Sequence, residues 1–486
     1  MPPFSGFLVR CSLLGLFAIA LKGQALTLGD PLGALHEAPL EPRNTLQCLA
    51  EPPNRPLNAL DIIDFALCHN PATREVWAQA RFNAAQLGQK RGLYLPQVNG
   101  TISTTHIASD SWDNPNDFQI TLPDGQELRF NEQGAFTSSQ RRILTSVAVR
   151  YLLFNFGVRK SQVESAWAAL ESANWTYQFT IQQTMMQALS SYYQFAASES
   201  AIEAAKTALQ SAQESHAAAQ KRHDIGSASI ADVLQAETAL AQAKLDLQNA
   251  EGQYLSRRGQ LAKDMGLGAN TDLAVEKPVI PEQDGFLSQT ISDLIRTALL
   301  DRADLQSAEK NMTQAEANLK SARRSALPEF NLNFNESYSD NNRFGRRKDM
   351  LIGVTVNIPI FTGFSTLYQV QAARANRDAA QARYDNLRQT ISLDVWQTYQ
   401  AVHTAMENLN MTQILLRSAE KTAEVALGRY RAGVGSMLDL LSAQTALFNA
   451  RQQRIAAEQD WLTRRTNLSF ALGILSRDII RESVMP

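Results

Sequence analysis

The sequence predicts an α+β membrane protein made of two tandem repeats, each supplying two transmembrane β-strands and a long helical hairpin. Three observations lead to this fold class. Segments from the first half of the chain recur in the second half at one of two fixed offsets. Four segments of about ten residues alternate between apolar and polar side chains, as strands with two different faces do. Two much longer segments, rich in Ala, Gln and Ser, have the composition of continuous helices.

The overall composition excludes several classes of protein. The chain has 486 residues and a formal net charge of -2, whereas nucleic-acid-binding proteins usually present a basic face. After the N-terminal segment there is no run of about 18 apolar residues, so no transmembrane helix is expected. The six histidines are scattered, and the sequence has neither a phosphate-binding loop nor a nucleophile elbow. We therefore expect no enzymatic activity, no cofactor, no metal site and no nucleic-acid partner.

Residues 1–25 have the pattern of a secretory signal peptide. Arg10 precedes an apolar run over residues 13–21, and the small residues before and at Ala25 provide a cleavage site. Export across a membrane is therefore expected, and a disordered or buried N-terminal segment is the alternative.

Two cysteines remain after the predicted cleavage. Cys48 lies in a Pro-rich N-terminal extension over residues 26–56, and Cys68 lies in the first predicted helix. An oxidising compartment favours a disulfide between them. Two free thiols are the alternative.

The repeats cover residues 57–267 and 289–474, with a linker over residues 268–288 and a C-terminal tail over residues 475–486. The offset between matching residues is 232 at first and 207 later, so the first repeat has a longer loop between its strands. Each repeat has a helix that stops at Leu-Pro, two strands, a long helix, a glycine-containing break and a second long helix.

The predicted strands cover residues 98–107, 143–153, 330–339 and 353–360. Each is close to the length that a tilted strand needs to cross a bilayer, about 9–11 residues. A soluble antiparallel sheet with one wet face would alternate in the same way. The signal peptide favours the membrane, as does the lack of a globular partner for the apolar face, because the helices are committed to each other.

A bilayer accepts strands only in a closed barrel, because unpaired backbone groups in lipid cost several kcal/mol each. Four strands are too few to close a barrel, so several copies of the chain should share one. Two copies would give eight strands and a filled interior, and three would give twelve and an open lumen. In either case Val354, Val356 and Ile358 should face lipid, and Thr355 and Asn357 the pore.

The long helical segments cover residues 158–221 and 364–429. Each would extend roughly 95 Å as one continuous helix. Their narrow stripes of small apolar residues favour side-by-side coiled-coil packing over a thick core. An all-helical tether or rod is the structural alternative, but it explains neither the strands nor the signal peptide.

The tips of the helical hairpins carry the most informative local motif. Glycines supply the turns, namely Gly226 in the first tip and Gly433 and Gly435 in the second. Each turn is followed by a Ser-x-x-Asp pattern.

That pattern, Ser229 with Asp232 and Ser436 with Asp439, has the spacing of a capping box. If several copies assemble, the tips form a ring. An acidic ring would narrow a pore and select for cations.

The tandem repeat, the Leu-Pro strand entry and the tip pattern G-x-x-x-[ILM]-x-D-[VL]-L-x-A-x-T-A-L resemble the TolC family of outer-membrane efflux and secretion proteins. The resemblance covers about residues 57–474. It implies a homotrimer with a 12-stranded β-barrel among the outer-membrane lipids and a 12-helix α-barrel in the periplasm of a Gram-negative bacterium. It also implies the exit duct of a tripartite export machine. The partners would be a periplasmic adaptor and an inner-membrane ABC or proton-driven transporter.

Residue roles follow from the same resemblance. Asp439 matches the aspartate at the family's periplasmic constriction, and Tyr430 and Asp232 match members of the hydrogen-bond and salt-bridge set that holds the tip shut. A second constriction aspartate is replaced by Ser442, so the ring should carry less charge.

A tip arginine found in some members is replaced by Gly435. Arg429 or Arg431 is expected to substitute for it.

The resemblance leaves the cargo open between proteins and small molecules. The pattern AL-C-x-N-P-x-T-R-x-x-W around Cys68, with Cys48 upstream, resembles members that serve toxin-secreting ABC transporters. The lack of a lipid-attachment motif favours the same subgroup. We expect type I secretion of a protein or toxin, with drug or metal efflux as the alternative and a periplasmic structural tether as an alternative of another class.

Overall fold

The computed structural model describes residues 30–40, 48, 52–53, 55–111, 118–121, 123, 126–130, 136–280, 289–342, 345–478 and 480. The predicted signal peptide, residues 1–25, lies outside the described residues. Parts of the predicted N-terminal extension, linker and C-terminal tail, and of the long loop in the first repeat, also lie outside them.

The two halves of the chain contain the same order of elements. The first half contains α1 (Ala59–His69), α2 (Pro71–Gly92), β1 (Gln97–Ser111), β2 (Phe118–Thr121), β3 (Glu127–Phe130), β4 (Phe136–Phe154), α3 (Val158–Asp224) and α4 (Ile230–Asp264). The second half contains α5 (Ile291–Asp301), α6 (Ala303–Arg324), β5 (Glu329–Asn341), β6 (Gly345–Asn357), α7 (Ser365–Arg431) and α8 (Met437–Ala471). The short pair of β2 and β3 occupies the longer loop of the first repeat.

The helix before each Leu-Pro stop is a pair of helices, which corrects the single helix that the sequence predicted. Asn70 separates α1 from α2 with an extended ψ of 125°, because the following Pro71 disfavours the helical conformation of its neighbour. Arg302 separates α5 from α6 with a ψ of 121°.

Arg302 is buried at this break and is held by two carboxylates. Its guanidinium donates to both oxygens of Asp304, at 3.0 and 2.8 Å, and to Asp394 Oδ2 at 2.7 Å. Burial alone would lower the pKa of Arg302, but the two carboxylates raise it above its ordinary value. The charge is therefore compensated, which a buried guanidinium requires.

The chain contains two compact units. One comprises residues 88–165 and 316–375 and contains the strands. The other contains the rest of the described chain and is helical. No helix within the described ranges is both long enough and apolar enough to cross a membrane.

The four long strands form one antiparallel sheet in the order β1-β4-β5-β6. Its register places the apolar residues of neighbouring strands on the same face: Leu332 lies between Tyr151 on β4 and Val354 on β6. Further apolar pairs on this face are Val98 with Val149 and Phe330 with Val356. Val354 and Val356 are 58% and 44% exposed in the single chain. No other part of the described chain packs over these two residues.

The opposite face of the sheet is polar, and its side chains make hydrogen bonds and ion pairs with one another. Asn333 Nδ2 donates to Thr355 Oγ1 at 3.0 Å. Arg150 Nη2 lies 3.7 Å from Glu329 Oε1. The alternation predicted from the sequence therefore separates two chemically different faces.

The strands are longer than predicted, except at the end of the last one. They have 13 to 19 residues, but β6 ends at Asn357, so Ile358 lies outside the sheet and is not a strand residue. Pro359 explains the early end, because proline has no N–H for the ladder and restricts the residue before it.

The two large apolar cores of the helical unit use matching positions of the repeats. One lies among α1, α3 and α4, and the other among α5, α7 and α8. Matching residues in the two cores are Ile62 and Leu294, Leu261 and Leu468, and Met265 and Leu472.

An N-terminal strap, which we define as residues 30–40, lies across α2 and α3. Trp77 Nε1 on α2 donates to the carbonyl of Pro39 at 3.1 Å, and Asn174 Nδ2 on α3 donates to that of Glu37 at 3.0 Å. Farther along, Cys48 and Cys68 are joined by a disulfide with a Cα–Cα distance of 5.8 Å. The extension is thus attached to the helices at two places.

Candidate functional site at the helix tips

The first tip, between α3 and α4, turns through a glycine in the left-handed region. Gly226 has a φ of 77°, which a residue without a Cβ adopts freely. Its N–H donates to the carbonyl of His223 at 2.8 Å, and that of Ser227 donates to the carbonyl of Arg222 at 2.8 Å. This pair of bonds is a Schellman motif, which satisfies the last carbonyls of α3.

The second tip, between α7 and α8, repeats this geometry. Gly433 has a φ of 81° and donates to the carbonyl of Tyr430 at 3.0 Å, while Val434 donates to that of Arg429 at 3.0 Å. Gly435 follows, and an added Cβ there would lie 3.1 Å from Tyr430 N. A close approach of main chain to main chain thus favours glycine at this position.

The two Ser-x-x-Asp patterns form different caps. Asp232 N donates to Ser229 Oγ at 3.2 Å and Ser229 N donates to Asp232 Oδ2 at 3.3 Å, which completes a capping box. Asp439 N donates to Ser436 Oγ at 3.1 Å, but no described bond returns from Ser436 N to the Asp439 carboxylate. The carboxylate of Asp439 is therefore left for other contacts.

Asp439 and Ser442 line one open cavity of about 580 Å³ between α7 and α8. Lys421 and Arg429 from α7 and Gly435 from the turn line it as well. The structure thus brings both predicted constriction positions together, and it places cationic side chains beside them.

Tyr430 and Asp232 belong to a different part of the tip. Tyr430 is 3% exposed and packs in a small apolar core with Ala219, Val233, Ala236, Met437 and Leu440. Burial raises the pKa of the Tyr430 hydroxyl above its ordinary value. The positive charge of Arg222 acts against this shift, and the nearby Asp232 carboxylate adds to it.

Arg222 is a tip residue that the sequence analysis did not assign. Its Nη1 donates to the carbonyl of Tyr430 at 2.8 Å, and its guanidinium carbon lies 4.9 Å from the centroid of the Tyr430 ring. Among the ion pairs of the described residues, none joins Asp232 to Arg429 or Arg431. The sequence did hold a signal, because Arg222 and Arg429 occupy the same position in the two repeats.

Within the described ranges, no group of three or more His, Cys, Asp or Glu side chains is arranged to hold a metal ion.

Comparisons with known proteins agree with this architecture. The sequence profile of the family described as "Outer membrane efflux protein" matches residues 62–267 and 294–474. Protein CyaE of Bordetella pertussis is 27% identical over 429 residues, which cover 87% of this chain and 85% of CyaE. The probable efflux pump outer membrane protein TtgC of Pseudomonas putida is 28% identical over 327 residues, which cover 66% of this chain and 67% of TtgC.

The fold also matches solved structures. The crystal structure of the Campylobacter jejuni CmeC outer membrane channel superposes with a TM-score of 0.74 at 19% identity, covering 88% of this chain and 89% of CmeC. The fold predicted from the sequence is confirmed by this likeness.

Proposed function

Because the chain belongs to the outer membrane efflux protein family, we propose that it is the exit duct of a type I secretion machine that exports a protein. As a member of this family it is a transport channel and not an enzyme. It is an outer-membrane component of a tripartite export system and extends into the periplasm.

The pattern around Cys68, which resembles members that serve toxin-secreting ABC transporters, supports protein secretion. The similarity to CyaE covers 87% of the chain, whereas the similarity to the efflux pump protein TtgC covers 66% at nearly the same identity. The similarity to TtgC supports a second candidate function, an outer-membrane component of a drug or metal efflux pump.

The partners follow from the architecture. The edge strands β1 and β6 run antiparallel to each other, so β6 of one copy can pair with β1 of the next and close a barrel. Three copies would supply twelve strands and an open lumen. The sequence has no phosphate-binding loop, so the energy for export must come from an inner-membrane transporter, reached through a periplasmic adaptor.

Deletion of the gene in the native bacterium separates the two cargo classes. For secretion we expect one protein or a few proteins to disappear from the culture medium, to return on complementation, and drug susceptibility to stay unchanged. An unchanged set of secreted proteins together with increased sensitivity to drugs or metals would instead establish the efflux candidate.

We propose that Asp439 forms the acidic ring of the periplasmic entrance. Its carboxylate is exposed, accepts no bond from its own cap, and lines the cavity between α7 and α8. An acidic ring attracts cations and slows multivalent ones. Arg429 and Lys421 in the same cavity, and Ser442 in place of a second acid, predict a weaker effect than a double ring would give.

Asp439→Ala is expected to lower the preference for cations over anions and to weaken block by multivalent cations, measured on purified protein in planar bilayers. Asp439→Asn is the matched variant, because it removes the charge and keeps the shape. Unchanged selectivity and block in both variants would show that Asp439 serves only as a favourable charge at the N-terminal end of α8.

A further inference from the structure

We infer that a charged patch on the apolar face of the sheet binds a phosphorylated glycolipid of the outer leaflet of the membrane. The patch comprises Arg141, Glu336, Asp340, Arg346 and Lys348, and its two arginines hold the phosphate groups. The inference goes beyond the proposed function, because it concerns the lipid around the channel and not the cargo. It relies on the proposed function only for the place of the sheet in the outer membrane.

The patch lies at the end of the sheet where strand connects to strand. At this end β5 and β6 are joined through residues 342–344, whereas at their other ends they continue to α6 and α7. The long helices of the family extend into the periplasm. The end of the strands that carries the patch therefore belongs to the outer leaflet.

Along this face the pairs of neighbouring residues change from apolar to charged. Phe334 on β5 pairs with Ile352 on β6. Six positions farther along β5, Asp340 pairs with Arg346. Tyr338 lies between the two pairs and is 43% exposed. Barrels of outer membranes carry aromatic residues where the apolar band meets the headgroups, so Tyr338 marks that boundary.

The arginines of the patch lie at the height expected of lipid headgroups. Asp340, the neighbour of Arg346, follows Phe330 by ten positions on β5, which is roughly 34 Å along the strand. A strand tilt of about 40° reduces this to a height of roughly 26 Å, close to the apolar band of about 25 Å in such barrels. Arg346, and Arg141 farther out, therefore meet headgroups and not acyl chains.

The patch retains positive charge after its internal pairs are formed. Lys348 Nζ lies 2.6 Å from Glu336 Oε1. Arg346 Nε donates to Asp340 Oδ2 at 3.4 Å, and the two terminal nitrogens of Arg346 make no hydrogen bond within the described ranges. Arg141 is exposed and has no carboxylate partner among the described residues. Unused guanidinium donors are thus available to an anion from outside the chain.

The two arginines are spaced for a headgroup that carries two phosphates. Arg141 lies on β4 and Arg346 on β6, so β5 separates them and they are roughly 10 Å apart across the sheet. A guanidinium group binds phosphate through two parallel hydrogen bonds. A disaccharide with a phosphate at each end can contact both arginines while its acyl chains cover the apolar face. A phospholipid with a single phosphate reaches only one of them.

Native mass spectrometry of the full-length protein in detergent, with diphosphoryl lipid A added, tests the inference. The unaltered protein is expected to bind lipid A more tightly than phosphatidylglycerol, which is anionic but has one phosphate. Arg141→Ala/Arg346→Ala should weaken lipid A binding about tenfold, because it removes both phosphate contacts. Equal binding of the two lipids by the unaltered protein would overturn the inference.

Arg142→Ala/Arg347→Ala is the matched control. It removes the same charge from adjacent positions of the same strands, where the side chains belong to the polar face of the sheet. This control should bind lipid A as tightly as the unaltered protein. If both double variants lose affinity equally, or if neither does, the patch is not the binding site and the inference fails.

Single variants keep the comparison decisive if the double variant does not fold. Arg141→Gln should weaken lipid A binding about threefold, and Arg142→Gln should leave it unchanged. Equal affinity of these two variants would refute the role of Arg141. The measurement needs no cargo, so an unchanged set of secreted proteins on gene deletion would refute the proposed function and leave this comparison to decide the inference.

Discussion

Gly266 and Gly473 show how main-chain geometry fixes a residue type. They follow α4 and α8 with φ of 77° and 75°. Each lies against the break between the paired short helices of its own repeat. An added Cβ at Gly266 would lie 2.5 Å from the main chain of His69, and one at Gly473 would lie 3.0 Å from that of Arg302. Only glycine can both adopt the positive φ and fit this close to the neighbouring main chain.

Gly266→Ala is expected to lower the free energy of unfolding by about 3 kcal/mol or more, because it adds both strain and a main-chain clash. Gly252→Ala is the control, since Gly252 lies within α4 with open space around it and alanine there should be neutral or stabilising. Thermal unfolding of the purified protein in detergent measures both. A Gly266→Ala protein as stable as the control would contradict this packing.

At the residue scale the sequence predicted local geometry better than contacts between elements. The Ser-x-x-Asp spacing predicted caps at both tips, and Ser229 and Ser436 both act as N-caps. The full box forms only with Asp232, because the spacing does not determine where the Asp439 side chain points. The sequence did not assign Arg222 to the tip contacts, because its contact depends on how two hairpins separated by about two hundred residues pack together.

At the scale of elements, β6 shows what alternation predicts and where it fails. From Ile352 to Asn357 its apolar and polar residues lie on opposite faces of the sheet, paired with residues of like character on β5. The end of the strand was predicted too late, because Pro359 interrupts the ladder although Ile358 continues the apolar pattern. Periodicity identifies faces, and backbone chemistry sets the limits of a strand.

Val354→Arg is expected to destabilise the membrane-inserted form by about 2–4 kcal/mol, because it places a charge on the apolar face of the sheet, which we expect to meet lipid. Thr355→Arg is the control, since it puts the same residue one position away on the polar face. The fraction of protein that folds into lipid vesicles measures the difference. Equal folding of the two variants would show that the apolar face does not meet lipid.

The disulfide connects the N-terminal extension to α1, and it closes a loop with a sequence separation of 20 residues. Cys48→Ser is expected to lower stability by about 3 kcal/mol. Reductant should have the same effect on the unaltered protein and none on Cys48→Ser, measured by thermal unfolding. A reductant effect that persists in Cys48→Ser would show that the disulfide is not its cause.

At the scale of the whole molecule, the internal repeat was the strongest signal in the sequence. It predicted two matching sets of helices and strands, which the structure contains. The structure also shows two large cores at matching positions of the repeats. The break within each pair of short helices was not predicted. Pro71 marks the first break in the sequence, but Arg302 has no proline after it, and only the fold brings Asp394, one of its two carboxylates, near. The longer loop of the first repeat was predicted, but its β2 and β3 strands were not.

We propose that no single copy closes its own barrel, so that several chains form one hollow cylinder together. The number of chains in the detergent-purified assembly, counted by native mass spectrometry, tests it most directly. We predict three chains per particle and precipitation when detergent is removed. A single chain that stays dispersed in water without detergent would rule out a barrel shared between copies.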